Sequence, residues 1–201
     1  MKRIILPFAI LSILGSIQIG CNKTEEKEKQ DEYKHSAIDA VFNGNININN
    51  VYDYEGQEIP SYITKANGLS NPQNNEKITL GRVLFYDKKL SVNNTVACAS
   101  CHQQQFAFSD TVIQSQGVNG LTGRHSMRLI NSRFSNESKF FWDERAASLE
   151  QQTTMPIQDH GEMGYSGQNG DPSISDLITK LNGVEYYQEL VNWAYKDVSG
   201  N

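Results

Sequence analysis

The chain has 201 residues, the scale of one modest domain plus an N-terminal address segment. Charged residues make up 20% of it and the formal net charge is −5, which argues against a nucleic-acid partner. Hydrophobic residues reach only 38%, so composition predicts a loop-rich globule with a thin core, of a kind that a covalent cofactor could staple.

Lys2 and Arg3 form a positive start, residues 4–14 are an uncharged apolar run, and residues 15–20 lead to Cys21. The run is too short to span a bilayer and has the layout of a secretory signal. Gly20 directly before Cys21 fits bacterial lipoprotein processing, in which 1–20 is removed and Cys21 is lipidated. Gln18 stands where an aliphatic residue is usual, so an ordinary signal with an incidental cysteine is the alternative. Residues 21–35 are almost wholly charged or polar and read as a disordered tether between lipid and domain.

Residues 36–75 mix turn formers with scattered aliphatics and read as irregular wrapping. Asn75 can then cap a helix reaching about Asp87, with Ile78, Leu80, Val83 and Leu84 at helical spacing. A short helix is predicted over 98–104, and another over 145–154 that stops before Pro156. Ser173 and Asp176 form a capping box for a helix whose apolar face is Ile174, Leu177, Ile178 and Leu181, closed by Gly183. A last helix over 185–195 should bury Tyr186, Leu190 and Trp193. No alternating run is long enough to force a sheet, so the fold class is mainly α with long loops.

Cys98-Ala99-Ser100-Cys101-His102 is a C-x-x-C-H sequence, the attachment signature of c-type haem. Two thiols at this spacing reach both vinyl groups on one porphyrin edge, and the adjacent imidazole is held beneath the iron. A zinc site would need two further ligands at short spacing, and a thioredoxin-like pair would need a βαβ setting; neither is present. With Cys21 lipidated and Cys98 and Cys101 thioether-bound, no cysteine of the three is left for a disulfide.

The group on the other face of the iron decides the chemistry. A methionine there (Met127, Met155 or Met163) would make a mono-haem electron carrier. A carboxyl with an amide, for which Glu162 and Gln152 are available, would suit peroxide cleavage.

Six linked motifs carry a resemblance: LGRVLFYDKKLS (80–91), VACASCH (96–102), FAFSD (106–110), TGRHS (122–126), FFWDERAASLEQQ (140–152) and PIQDHGEMG (156–164). In order and spacing they resemble the bacterial di-haem cytochrome c peroxidases, the group that also contains the methylamine-dehydrogenase-maturing enzyme. The resemblance runs from about Pro60 to Asp197 and implies a cytochrome c-like N-terminal haem domain, bounded here at 36–201, whose haem reacts with hydrogen peroxide. It makes Cys98 and Cys101 the thioether positions, His102 the proximal ligand, Glu162 the distal acid–base group and Gln152 the distal amide. Trp142 resembles the tryptophan that lies between the two haems. The reductant implied is a small protein of cytochrome c or cupredoxin type, the compartment is the periplasm, and a homodimer is left open.

The chain departs from the family's pattern in three places. Val118, within Gly117-Val118-Asn119-Gly120, stands where many members carry an inhibitory histidine, so the haem is expected to be open without prior reduction; His125 is a nearby substitute. His125 itself replaces an asparagine that helps bind calcium, so calcium is not carried over. Only one C-x-x-C-H is present where the family has two, so the chain is expected to be a fragment with one haem c. Arg124 and Arg128 are candidates for the haem propionates, with a solvated face as the alternative, and His160 either tunes the distal pocket or caps a loop.

Overall fold

Seven residues at 36–42 that sequence alone leaves irregular form a helix, α1 (Ser36–Phe42), because a distant carboxylate completes it. The Glu189 side chain accepts the amides of Ala37 (3.2 Å) and Ile38 (3.1 Å), two donors that a helix start otherwise leaves unpaired. Ile38 is wholly buried. The computed structural model describes residues 36–65, 74–135 and 139–196, and the expected leader, Cys21 and tether lie outside them.

Helix α2 (Asn75–Tyr86) is capped one residue earlier than expected, by Asn74, whose side chain accepts the Lys77 amide at 2.8 Å. Asn75 is used elsewhere: its side-chain oxygen accepts the amides of Tyr54 and Glu55 and ties the 53–56 turn to the helix. Asp87 ends α2 and accepts the Lys89 amide (2.8 Å), which starts a 3-10 turn, Lys88–Leu90.

The expected helix over 98–104 is α only across α3 (Cys98–Cys101), followed by a 3-10 turn at Gln104–Phe106. A two-stranded ribbon that the sequence did not signal pairs β1 (Gln116–Gly117) with β2 (Gly120–Leu121), in register Gln116 to Leu121 and Gly117 to Gly120. Gly120, at φ +117, lets the chain reverse in so short a span.

The helix expected over 145–154 is shorter, α4 (Leu149–Thr154), capped by Ser148 on the Gln151 amide. Its first residues are diverted because Phe140 and Ala146 exchange backbone hydrogen bonds around a left-handed Glu144. Helices α5 (Ile174–Asn182) and α6 (Glu185–Ala194) follow the expected pattern, with the Ser173–Asp176 capping box in place. One expected core position differs: Ile178 is 54% exposed, while Leu177 carries the buried stripe with Ile174 and Leu181 partly covered.

Helix α6 is the hub, packing on α1, α2 and α5, while α2 also packs on α3. Its Tyr186, Tyr187, Leu190, Trp193 and Ala194 join Ile38, Leu80, Val83, Leu90 and Leu177 in one core that extends to Ile157, Met163 and Tyr165. Both α6 tyrosines donate their hydroxyls to Asp87 Oδ2, at 2.5 and 2.8 Å. Burial by itself would raise the Asp87 carboxyl, but the Tyr186 hydroxyl, the Lys89 amide and charge, and the Tyr187 hydroxyl outweigh it and hold the group below its ordinary value. Lys180 of α5 reaches across to Ser91 O (3.0 Å), Asn94 Oδ1 (2.8 Å) and Tyr165 Oη (3.2 Å), fixing the segment before α3. Among the described residues no helix is long and apolar enough to cross a membrane.

Candidate functional site

The orientation of His102 follows from the chain reversal behind it. Ala107 and Phe108 both take left-handed backbone angles (φ 58), folding the chain back so that the Gln103 amide donates to Ser109 O at 2.8 Å. That return sets the Phe108 carbonyl 2.9 Å from His102 Nδ1, and the Met127 carbonyl lies 3.0 Å from the same atom. Carbonyls only accept, so Nδ1 carries the proton and the lone pair of the neutral ring is on Nε2. Ser126 stands 3.2 Å from Nδ1 and donates its hydroxyl to Cys101 O, linking the ring to the backbone of α3. A histidine held in this way presents Nε2 as a metal ligand with its ring angle fixed.

His102 lines two adjoining hollows of about 440 and 100 Å³, and the larger is of the size that small-ligand sites usually have. Cys101, Gln152 and Glu162 line both, and Cys98 lines the smaller. Neither cysteine is in a disulfide, and both are partly buried. Burial raises Cys98 above its ordinary value, with Cys101 and Glu162 adding to it; for Cys101, burial is again first and Asp110 and Glu162 follow. Two thiols and an imidazole nitrogen on one cavity, with the nitrogen's tautomer already set, are the donor set that covalent haem requires.

Glu162 sits in a loop after Pro156 that is pinned from two sides. The amides of Val118 and Asn119 donate to Glu162 O (3.0 Å) and Gly161 O (3.3 Å), while Val92 N donates to Met163 O (3.0 Å). Burial first, then the neighbouring Asp159 charge, push the Glu162 carboxyl above its ordinary value, against the opposing pull of Arg145. Gln152, in the last turn of α4, is partly buried on the same cavity. Trp142 lines only the larger hollow, is 60% exposed, and donates its indole N–H to His125 O at 3.2 Å.

His125 does not stand free to replace a missing histidine. Its Nδ1 is 2.6 Å from Val112 O and 3.3 Å from Asp110 Oδ1, and its Nε2 is 3.2 Å from Ser109 Oγ. Val118 lines neither hollow and packs beside Gly164. His160 is paired with Asp171 at 2.8 Å. Arg124 lines the larger hollow but shares Asp143 with Arg145, and Arg128 lines it as an exposed side chain. Of the methionines, Met127 lines the larger hollow and Met163 the smaller, whereas Met155 borders a separate depression beside Arg145 and Glu162.

The sequence reading missed the groups that hold these side chains: the carbonyls of Phe108 and Met127, the Ser126 hydroxyl, and the close approach of Gly117 to the Glu162 loop. Backbone carbonyls leave no side-chain signal, but Gly117 lies in the Gly117-Val118-Asn119-Gly120 stretch and Ser126 closes the TGRHS motif.

A family model described as di-haem cytochrome c peroxidase matches residues 75–201. The chain is 34% identical over 134 residues to methylamine utilization protein MauG from Methylophilus methylotrophus, covering 65% of this chain and 37% of that one. It is 35% identical over 132 residues to cytochrome-c peroxidase IdrP1 from Pseudomonas sp. (strain SCT), covering 65% and 31%. Over 120 residues it is 34% identical to cytochrome c551 peroxidase from Pseudomonas aeruginosa, covering 59% and 34%. The chain thus spans about a third of the length of these curated relatives. Among solved structures it is similar to a MauG-like protein associated with microbial copper homeostasis, with TM-score 0.60 and 30% identity, covering 73% of this chain and 41% of that one. The described residues are mainly helical with little strand, which is compatible with a cytochrome c-like domain, and the family implies haem c. On the match of more than half its length, the chain belongs to the di-haem cytochrome c peroxidase family.

Proposed function

We propose that this chain is the peroxide-reducing haem domain of an exported di-haem peroxidase, anchored through Cys21 on the periplasmic side of a bacterial membrane. It takes two electrons and two protons per hydrogen peroxide and yields two waters, with electrons supplied by a small redox protein and a second haem domain. The observation that carries this reading is the convergence on one cavity of His102, its Nδ1 spent on two carbonyls, with both thiols, Gln152 and a raised Glu162.

In this reading Cys98 and Cys101 would form the thioethers and His102 Nε2 would hold the iron. Bound haem supplies a redox-active metal at which the O–O bond can be broken. The chain's part is proton handling. Glu162, as carboxylate, takes the proton from one peroxide oxygen and returns it to the other as that oxygen departs as water. Burial serves this exchange, because a carboxyl whose charged form is poorly solvated accepts a proton more readily than an exposed one. Gln152 offers an amide that can orient the bound oxygen. Trp142, exposed at the rim of the larger hollow, is the side chain assigned to electron entry.

The test uses the haem-loaded protein together with its second haem domain and pre-reduced donor protein, with peroxide reduction followed in a rapid-mixing spectrometer. Glu162→Gln should lower kcat/KM for peroxide by about 10²–10⁴-fold, the usual contribution of a general acid–base group. A Glu162→Gln protein that reduces peroxide at the parent rate would defeat the mechanism.

A further inference from the structure

The loop that presents Glu162 is organised by one residue outside the chemistry just described. The amides of Gly161 and Glu162 both donate to Asp159 Oδ1, at 2.8 and 2.9 Å. The next two amides, of Met163 and Gly164, both donate to Asp159 O, at 3.2 and 2.8 Å. Four successive backbone donors are therefore gathered on a single residue, two on its side chain and two on its carbonyl. A loop with four successive donors converging on one residue has little freedom to shift its carboxyl, since displacement breaks several bonds at once.

The same aspartate lines the larger hollow together with Glu162, so its charge is part of the electrostatic environment of that carboxyl. We propose that Asp159 is the positioning residue of this site: its bonds fix where the Glu162 carboxyl stands, and its negative charge governs how readily that carboxyl releases its proton. The inference rests on the acid–base reading of Glu162.

The other charged and titratable groups facing the carboxyl are accounted for. Burial acts in the same direction as Asp159, and Arg145 opposes both. Arg124 and Arg145 are bound to Asp143, and His160, two residues before Glu162, is paired with Asp171. Arg128, His102, His125 and Cys101 complete the charged or titratable lining of the larger hollow. The 116–118 ribbon segment contributes none, being Gln116, Gly117 and Val118. Asp159 is thus the neighbouring charge that raises Glu162 and at the same time holds its backbone.

Geometry and charge separate in two substitutions. Asp159→Asn keeps an Oδ1 acceptor and the backbone carbonyl but removes the charge; Asp159→Ala removes the side-chain acceptor as well. Both are made in the haem-loaded full chain, with Glu162→Gln used to identify the infrared carboxyl band of Glu162. In Asp159→Asn the infrared titration of Glu162 and the acid limb of kcat/KM for peroxide should both move to lower pH. In Asp159→Ala the plateau should also fall, by up to about 100-fold for a carboxyl displaced by an ångström. A titration that stays in place in Asp159→Asn, or a parent-like plateau in Asp159→Ala, overturns the proposal. Should Glu162→Gln prove fully active, the acid–base reading fails, while the infrared comparison still decides whether Asp159 controls that carboxyl.

Discussion

Gly117→Ala tests how tightly the β1 ribbon and the Glu162 loop are fitted together. A Cβ at Gly117 would lie 2.1 Å from Gly161 O, 2.9 Å from Gly161 C and 3.0 Å from Glu162 Cα, all of them backbone atoms with no rotamer to turn away. Relief needs a separation of about 1 Å, because packed interiors leave no spare volume. The ribbon cannot retreat alone, since Val118 N and Asn119 N are bonded to the same segment at 3.0 and 3.3 Å. The overpacking should cost about 1–3 kcal/mol of stability, and the shift in Glu162 should cost up to about 100-fold in kcat/KM for peroxide. Gly117 lines the smaller hollow beside Cys98, Cys101 and His102, so covalent haem content is measured first and rates are expressed per haem. Rapid-mixing kinetics per haem and urea unfolding read the two effects. Gly81→Ala is the control: nothing lies within 4 Å of its Cβ, and in the interior of α2 it should stabilise by about 0.5–1 kcal/mol without changing rate. A Gly117→Ala protein with parent kinetics and parent stability would refute the fit.

Two predictions concern the core rather than the site. Asp87→Asn removes the charged acceptor shared by Tyr186 and Tyr187, and urea unfolding at pH 7 should show a loss of about 1–3 kcal/mol. The folded carboxyl titrates below its ordinary value, so its stabilisation is full above the unfolded value and is lost as pH falls through the folded one. The gap between parent and variant should therefore close in acid, and a gap independent of pH would contradict it. Glu189→Ala removes the acceptor for the Ala37 and Ile38 amides and should cost about 1–2 kcal/mol. Hydrogen exchange should accelerate across 36–42, and unchanged protection of the Ile38 amide would count against the clip.

What was legible without coordinates was whatever is local along the chain. The capping box at Ser173 and Asp176 was fully specified by residues three apart, and α5 begins there. The C-x-x-C-H run needs only its own spacing to present two thiols and an imidazole together. In α6 the positions Tyr186, Leu190 and Trp193 repeat at helical spacing, so the buried face follows from period alone. Trp142 was singled out from its motif, but its exposure and its bond to His125 O could not be read there.

The remainder was decided by contacts between distant segments. Helix α1 depends on Glu189, whose carboxylate is 151 positions from Ile38, and nothing within 36–42 announces that partner. Arg145, Ala146 and Ala147 have the composition of a helix start, yet Ala146 exchanges its backbone bonds with Phe140 and the Ala147 amide goes to the Gln151 side chain. Ile178 has the right period to be buried but faces water, while its neighbour Leu177 turns into the core. At the site, sequence supplied the reactive groups, Cys98, Cys101, His102, Gln152 and Glu162, but not the state of any of them. The proton on His102 Nδ1 is fixed by carbonyls from Phe108 and Met127, and the raised carboxyl of Glu162 by burial and Asp159. Protonation is set by the solvent and charge around an atom, and that surrounding exists only once the chain has closed over it.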